Sequence, residues 1–247
     1  MQAPVLILGA SGTLGGAIAR KLSAQGMPLV LHSHDNPDKL EALAKDCADA
    51  QTVRADLTDE AAVSTLFNDL QSTYAGLSGV VLSVAKPFPH KLTHRTPWAV
   101  FEAQIDSQLK AAHLCLSAAH SLLKSFGAND TARVLIISTE YILGMPPPKT
   151  APYVAAKAAL SAYAQVIAQE WLSHNIRVHI CAPGMVESNL TADLPQMYLE
   201  QVAQDMPEKC LTRAEDVADV AGFLMSPEAD TLYGAPIAVT RGVRKMS

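Results

Sequence analysis

Seven short runs of aliphatic and β-branched residues alternate along this chain with stretches of helical spacing. They are Val5-Leu6-Ile7-Leu8, Leu29-Val30-Leu31-His32, Thr52-Val53, Val80-Val81-Leu82, Arg133-Val134-Leu135-Ile136-Ile137, Arg177-Val178-His179-Ile180 and Pro236-Ile237-Ala238-Val239. Strands joined through helices pair in parallel, because a helical crossover returns the chain to the end where the previous strand began. The pattern predicts an α/β fold with a doubly wound, parallel, seven-stranded sheet. Helix starts are marked by Thr96-Pro97, with proline at the first helical position, and by a capping box at Thr212-Arg213-Ala214-Glu215. No linker, repeat or low-complexity segment divides the chain, so residues 1–247 read as a single domain. Met145-Pro146-Pro147-Pro148 and residues 190–209 read as loops over a site.

The first strand runs directly into Gly9-Ala10-Ser11-Gly12-Thr13-Leu14-Gly15-Gly16 and then into Ala17-Ile18-Ala19-Arg20-Lys21-Leu22. Strand, glycine turn and helix in that order suit a dinucleotide. Gly9, Gly12 and Gly15 let the backbone turn tightly and approach a pyrophosphate, whose charge the free amides of the helix start would meet. The alternative is an ordinary tight turn with a packing glycine. The apolar strand before the loop and the periodic helix after it favour the dinucleotide.

Farther along, Tyr153-Val154-Ala155-Ala156-Lys157 places a phenol and an ammonium one helical turn apart on the same face. A phenol with its ordinary pKa of about 10 is a poor acid or base near neutrality, and an adjacent cation favours the phenolate. Tyr153 could then exchange a proton with a substrate oxygen.

Composition narrows the class. With 49% hydrophobic residues the chain can bury a large core, and its net charge of −5 argues against a nucleic-acid binder. Cys47, Cys115, Cys181 and Cys210 are scattered without metal-type pairing, and neither a hydrophobic leader nor a long uncharged apolar run is present. The expectation is a soluble, reduced, cytoplasmic protein with no membrane partner. His90 and His94 have a spacing that binds metal on a helix, but Pro87, Pro89 and Pro97 make this stretch a loop, and no further ligand lies nearby. No metal is expected.

The glycine loop at the start and Tyr153/Lys157 after the fifth strand together resemble the short-chain dehydrogenase/reductase family, over essentially the whole chain. Val53-Arg54-Ala55-Asp56-Leu57-Thr58 looks like the family's adenine-side strand end, and Ile136-Ile137-Ser138-Thr139 like its catalytic hydroxyl segment. Ile176-Arg177-Val178-His179 resembles its sixth strand, and Ala182-Pro183-Gly184-Met185-Val186-Glu187-Ser188 its nicotinamide-side loop. The resemblance implies a Rossmann-like domain that moves a hydride between a nicotinamide and a carbonyl or alcohol carbon. Tyr153 would handle the oxygen's proton, while Lys157 would hold the nicotinamide ribose and depress the Tyr153 pKa. Thr139 aligns with the serine that orients the substrate oxygen, with Ser138 as the alternative and a strand-end turn cap as the structural reading of either. Gln108 aligns with a helical asparagine that wires the lysine to solvent, and is equally readable as a surface glutamine.

The cofactor set implied by the resemblance is Gly9, Ser11, Gly12, Thr13, Leu14, Gly15, Ser33, His34, Asp56, Leu57, Ser83, Ala85, Tyr153, Lys157, Pro183, Gly184, Val186 and Ser188. Several departures accompany it. The family's asparagine-rich segment is replaced by Ser83-Val84-Ala85-Lys86, and the glycine spacing is that of the family's extended branch. Ser33 and His34 occupy the positions after the second strand where a carboxylate would select NAD, so NADP(H) is expected, with Asp35 as the residue that could reverse the choice. The leading reading is an NADP(H)-dependent carbonyl reductase, of a kind that could act on a 3-oxoacyl thioester carried by an acyl carrier or coenzyme A, with Arg133 and His174 aligned near carrier-binding positions. The other is a degenerate member that binds nucleotide and a partner subunit without turnover. The resemblance further implies a homodimer or homotetramer through the helices of Gln108 and Tyr153, where alanines permit close packing. Met145, Met185, Leu190, Leu194, Met197 and Met206 would surround an apolar substrate or simply pack core and lid.

Overall fold

The computed structural model describes residues 3–242, so the extreme ends of the 1–247 span lie outside the described residues. Seven strands form one parallel sheet: β1 (Val5–Leu8), β2 (Leu29–Ser33), β3 (Ala50–Arg54), β4 (Gly79–Leu82), β5 (Ala132–Ile137), β6 (Ile176–Pro183) and β7 (Pro236–Val239). Their spatial order is β3-β2-β1-β4-β5-β6-β7, with every neighbouring pair parallel. All seven strands expected from the sequence are present. The strands of the sheet centre are buried at every position and apolar except for Arg133 near the start of β5, because both faces are covered, as a parallel sheet with crossover helices requires.

On one face Leu6, Leu8, Val80, Leu82, Val134 and Ile136 pack against α3 (Glu60–Thr73), α5 (Ala111–Gly127) and α6 (Ala151–Glu170). On the other face Val5, Ile7, Val81, Leu135 and Ile137 pack against α1 (Thr13–Ala24), α2 (Pro37–Lys45) and α8 (Ala214–Leu224). The strand alternation thus divides one sequence run between two cores. Between α3 and α5 lies α4 (Trp98–Ile105), which continues through a π-helical turn at Asp106–Lys110 into α5.

Some element boundaries differ from the sequence reading. Pro97 is the residue before the first turn of α4 rather than its first helical residue, with extended backbone at ψ 150°. At α8 the carboxylate that accepts the Arg213 amide is Asp216, at 2.8 Å, not Glu215, because Arg213 and not Thr212 is the boundary residue. Thr212 instead donates its hydroxyl to the Val239 carbonyl. Residues 190–209 are not all loop either, since α7 (Gln196–Asp205) buries Leu199 and Val202.

The order of the strands reverses between β1 and β4: the chain builds outward from β1 to β3, then crosses back and builds the other way. Such a switch point leaves a crevice beyond the carboxyl ends of the two central strands, because the loops after them turn to opposite faces. Among the described residues no helix is long and apolar enough to cross a membrane. Cys47, Cys115, Cys181 and Cys210 are all free thiols.

Candidate active site

A cleft of about 1220 Å³ opens at that crevice. It is larger than the ~300–1,000 Å³ usual for one small ligand, as a site for two molecules has to be. The loop after β1 forms its floor. Gly9 has φ +84°, a conformation that glycine adopts without strain, and donates its amide to His32 Nδ1 at 3.4 Å. The other ring nitrogen of His32 faces the Ala55 carbonyl at 3.0 Å, so the neutral imidazole ties the glycine loop to the end of β3. Burial holds the His32 pKa below its ordinary value. His32 was legible in the sequence only as a polar residue at a strand end.

Gly9, Ser11, Gly12, Thr13 and Leu14 line the cleft. Gly15, also in the expected set, is not among the residues that line it. It lies beneath the loop, where a side-chain carbon would come within 2.2 Å of the Gly9 carbonyl oxygen. Helix α1 starts at Thr13 with no side-chain cap, which leaves its first amides to meet an anion.

At the β2 end, Ser33 shares a hydrogen bond with Ser11 at 2.8 Å and accepts the Asn36 amide at 3.2 Å. His34 is exposed, 3.4 Å from Asp35 and 4.0 Å from Asp56. The Arg54 guanidinium donates to the His34 carbonyl at 3.3 Å. Arg54 is a cation that the sequence reading passed over. Its signal lies in the parallel register that sets Arg54 beside Ser33, and only strand order reveals that. Asp56 accepts the amide and hydroxyl of Thr58 at 2.9 and 2.7 Å, which hold its carboxyl below the usual range. Leu57, Ser83, Ala85, Pro183, Gly184, Val186 and Ser188 also line the cleft, each where a strand end or the following loop reaches it.

The reacting groups converge beside β5. Thr139 lines the cleft with Tyr153 and lies close enough to lower its pKa, whereas the Ser138 hydroxyl shares a 2.7 Å hydrogen bond with the buried Ser161. Of the two hydroxyls expected from the sequence, the structure therefore brings Thr139 to Tyr153. Lys157 is 2% exposed, donates to the Ile137 carbonyl at 2.7 Å and lies 5.9 Å from the centre of the Tyr153 ring.

The direction of the Tyr153 pKa corrects the expectation. Burial pushes it up to about 12, against a smaller opposing effect of the Thr139 hydroxyl. Lys157 does not depress it, because burial brings the ammonium itself down to about 7 and its proton is directed at Ile137. The phenol is consequently protonated at neutral pH, the form a proton donor needs.

Gln108 is buried behind the cleft wall, not on the surface. It lies in the π-helical turn and donates to Gln104 Oε1 at 2.8 Å, while its own Oε1 has no partner among the described residues. Arg133, near the start of β5, forks onto Asp230 at 2.7 and 2.8 Å, and His174, in the turn before β6, is hydrogen-bonded to His120 at 3.0 Å, both away from the cleft. Of the methionines, Met185 lines the cleft with Leu190 and Leu194, Met145 and Met197 are largely exposed, and Met206 is packed away from it. Among the described residues no cluster of three or more His, Cys, Asp or Glu converges.

Residues 9–244 match the family model described as enoyl-(acyl carrier protein) reductase. The chain is 30% identical over 240 residues to the 3-oxoacyl-[acyl-carrier-protein] reductase FabG of Rickettsia bellii (strain RML369-C), covering 96% of this chain and 95% of that protein. It is 29% identical to the cis-4-hydroxycyclohexanecarboxylate dehydrogenase of Sinomonas cyclohexanicum, over 96% and 94% of the two chains. Its fold matches a solved structure titled Pseudomonas aeruginosa RhlG/NADP active-site complex with a TM-score of 0.90 at 23% identity, over 98% and 96% of the chains. A short-chain dehydrogenase/reductase from Serratia marcescens BCRC 10948 superposes with a TM-score of 0.87 at 20% identity, over 96% of each chain. The protein is thus an oxidoreductase acting between CH–OH and C=O groups. It belongs to the short-chain dehydrogenase/reductase family.

Proposed function

We propose that the protein is an NADP(H)-dependent ketoreductase whose substrate is the 3-oxo group of an acyl thioester. The observation that carries this reading is the convergence of Thr139, Tyr153 and Lys157 on one wall of a dinucleotide-sized cleft, with the Lys157 ammonium 5.9 Å from the Tyr153 ring centre. When bound, the nicotinamide supplies the hydride to the carbonyl carbon. Tyr153 gives its phenolic proton to the oxygen as the C=O π bond becomes the O–H bond. Thr139 holds that oxygen in line, and Lys157 can replace the proton that Tyr153 loses. A phenol protonated at neutral pH can serve as the proton donor of a reduction.

The choice of NADP(H) rests on the β2 end. Ser33 and His34 stand where a carboxylate would take a ribose 2′-hydroxyl, and the Ser11 and Ser33 hydroxyls, the Asn36 amide and Arg54 would hold a 2′-phosphate. The solved neighbour titled as an NADP complex is consistent with that. A thioester of a carrier or coenzyme A is supported by the Rickettsia relative's name and by the cleft's surroundings. Exposed Leu92, Trp98, Leu143, Met145, Met197 and Tyr198 lie on the segments flanking it. Lys86, Lys91, Arg95 and Lys149 on the same segments form no ion pair among those found, which suits an apolar chain with an anionic handle. Ala155, Ala158 and Ala162 of α6 are exposed and Ala118 of α5 partly so, small side chains that suit close assembly as a homodimer or homotetramer.

The test is NADPH and NADH binding, followed by single-turnover reduction of a 3-oxoacyl thioester. Tyr153→Phe should keep NADPH binding within a few-fold and slow the chemical step by about a hundredfold or more. Near-normal turnover in Tyr153→Phe would refute the mechanism, and tighter NADH binding by the parent protein would refute the cofactor assignment.

A further inference from the structure

After β4 the chain leaves the sheet through Ser83-Val84-Ala85-Lys86-Pro87-Phe88-Pro89-His90, and the ring of Phe88 lies on the ring of Tyr153. Their centroids are 5.3 Å apart and their planes within 9°. His90 tilts against Phe88 from 4.6 Å. A strap across an open cleft has to be held. Pro87 and Pro89 have no N–H to offer, and among the described residues the only backbone hydrogen bond found between residues 84 and 90 and the rest of the chain is from the Lys91 amide to the Pro89 carbonyl.

The remaining tether is a side chain. Gln104, 1% exposed in the last turn of α4, donates its amide to the Lys86 carbonyl at 3.0 Å. That carbonyl can only accept, so Gln104 must present its NH₂ and turn its oxygen to Gln108, which donates in turn at 2.8 Å. The order of donors runs from the π-helical turn to the strap, and it ends immediately before Pro87-Phe88.

We propose that Phe88 is the specificity-determining wall of the reaction site and that Gln104 is the positioning residue that holds it there, an inference that rests on the carbonyl-reductase reading above. The Phe88 ring covers one face of the phenol. A carbonyl oxygen that reaches the Tyr153 and Thr139 hydroxyls together must come in along the uncovered edge. One of the two carbon arms of the carbonyl then lies against the Phe88 ring. A slender CH₃ or CH₂ arm fits beside a flat ring, and a quaternary carbon does not. The substrate class is therefore ketones unbranched next to the carbonyl on that side.

The experiment compares kcat/KM for ethyl 3-oxobutanoate and ethyl 4,4-dimethyl-3-oxopentanoate, which differ by a methyl against a tert-butyl arm on the ketone. The parent protein should prefer the methyl ketone, and Phe88→Ala should shift the ratio toward the tert-butyl ketone by about tenfold or more, the scale on which apolar pockets discriminate. Gln104→Leu should lower kcat/KM for ethyl 3-oxobutanoate with NADPH affinity unchanged, and should add little in a Phe88→Ala background, whereas a merely structural residue would add its full effect in both. Gln104→Glu, which keeps the acceptor for Gln108 but removes the donor to Lys86, should behave as Gln104→Leu does and serves if that variant does not fold. Hydrogen exchange of the NADPH complex should quicken at residues 83–91 in either variant. An unchanged ketone ratio in an active Phe88→Ala protein overturns this inference alone. Absence of turnover by the parent protein on both ketones and on a 3-oxoacyl thioester overturns the reductase reading and this one with it.

Discussion

Replacing Gly15 by alanine tests whether the loop after β1 holds a pyrophosphate or is only a turn. The added carbon would sit 2.2 Å from the Gly9 carbonyl oxygen, 2.9 Å from its carbon and 3.0 Å from the Ala10 Cα. All three are backbone atoms, so no side chain can swing aside, and the loop itself must move by about 1 Å to restore van der Waals contact. Overpacking of this kind costs roughly 1–3 kcal/mol, against up to about 1 kcal/mol regained from alanine's helix propensity. At about 2–4 °C per kcal/mol for a domain of this size, Tm should fall by a few degrees. The larger effect should be on the ligand. Moving Gly9 displaces the amides at the start of α1, and NADPH binding, followed by calorimetry, should weaken by at least about tenfold, or ~1.4 kcal/mol. Gly16→Ala is the internal control, since its added carbon would meet nothing closer than 3.4 Å and Gly16 is not among the residues lining the cleft. Gly16→Ala should leave binding within about twofold and raise Tm slightly. Equal NADPH affinity in Gly15→Ala and Gly16→Ala would show that the loop does not carry the phosphates.

Three other expectations follow from the site. Thr139→Ala should reduce turnover while sparing cofactor affinity, whereas Ser138→Ala, which loses only the Ser161 partner, should act on Tm; steady-state kinetics beside thermal melts separates them. Arg54→Ala should weaken NADPH without changing NADH, and His34→Asp should reverse the preference by repelling a 2′-phosphate; binding isotherms with both cofactors decide it. His179 is fully buried, and burial, only partly opposed by Asp230 and reinforced by Arg133, brings its pKa down to about 4. The unfolded chain protonates this histidine near 6.5 while the folded protein resists until about 4, so its contribution is present above pH 6.5 and lost as pH falls toward 4. That loss is about 3 kcal/mol. Urea unfolding at pH 7 and pH 4 should show His179→Leu losing correspondingly less stability over that interval than the parent protein, and identical pH dependence in both would refute the assignment.

Most strands were legible because they are short aliphatic runs, and those of β1 and β4 at the sheet centre can be buried only in a sheet covered on both faces. The glycine loop was legible for a similar reason: Gly9 at φ +84° and Gly15 packed against the Gly9 carbonyl are demanded by the tight turn from strand to helix. Tyr153 and Lys157 were legible from helical spacing. What lay beyond the sequence depends on direction and on distant partners. Whether Ser138 or Thr139 meets Tyr153 is a matter of which face of the strand end each occupies, and a shift of one residue exchanges the faces. Arg54 reaches the His34 carbonyl because β3 pairs with β2 in one register, and Gln104 reaches Lys86 across 18 positions of chain. The rise of the Tyr153 pKa is likewise a tertiary result. The lysine is one turn away, as the spacing required, but burial, nearly complete for Lys157 and partial for Tyr153 at the cleft wall, outweighs an attraction that the sequence could place but could not weigh.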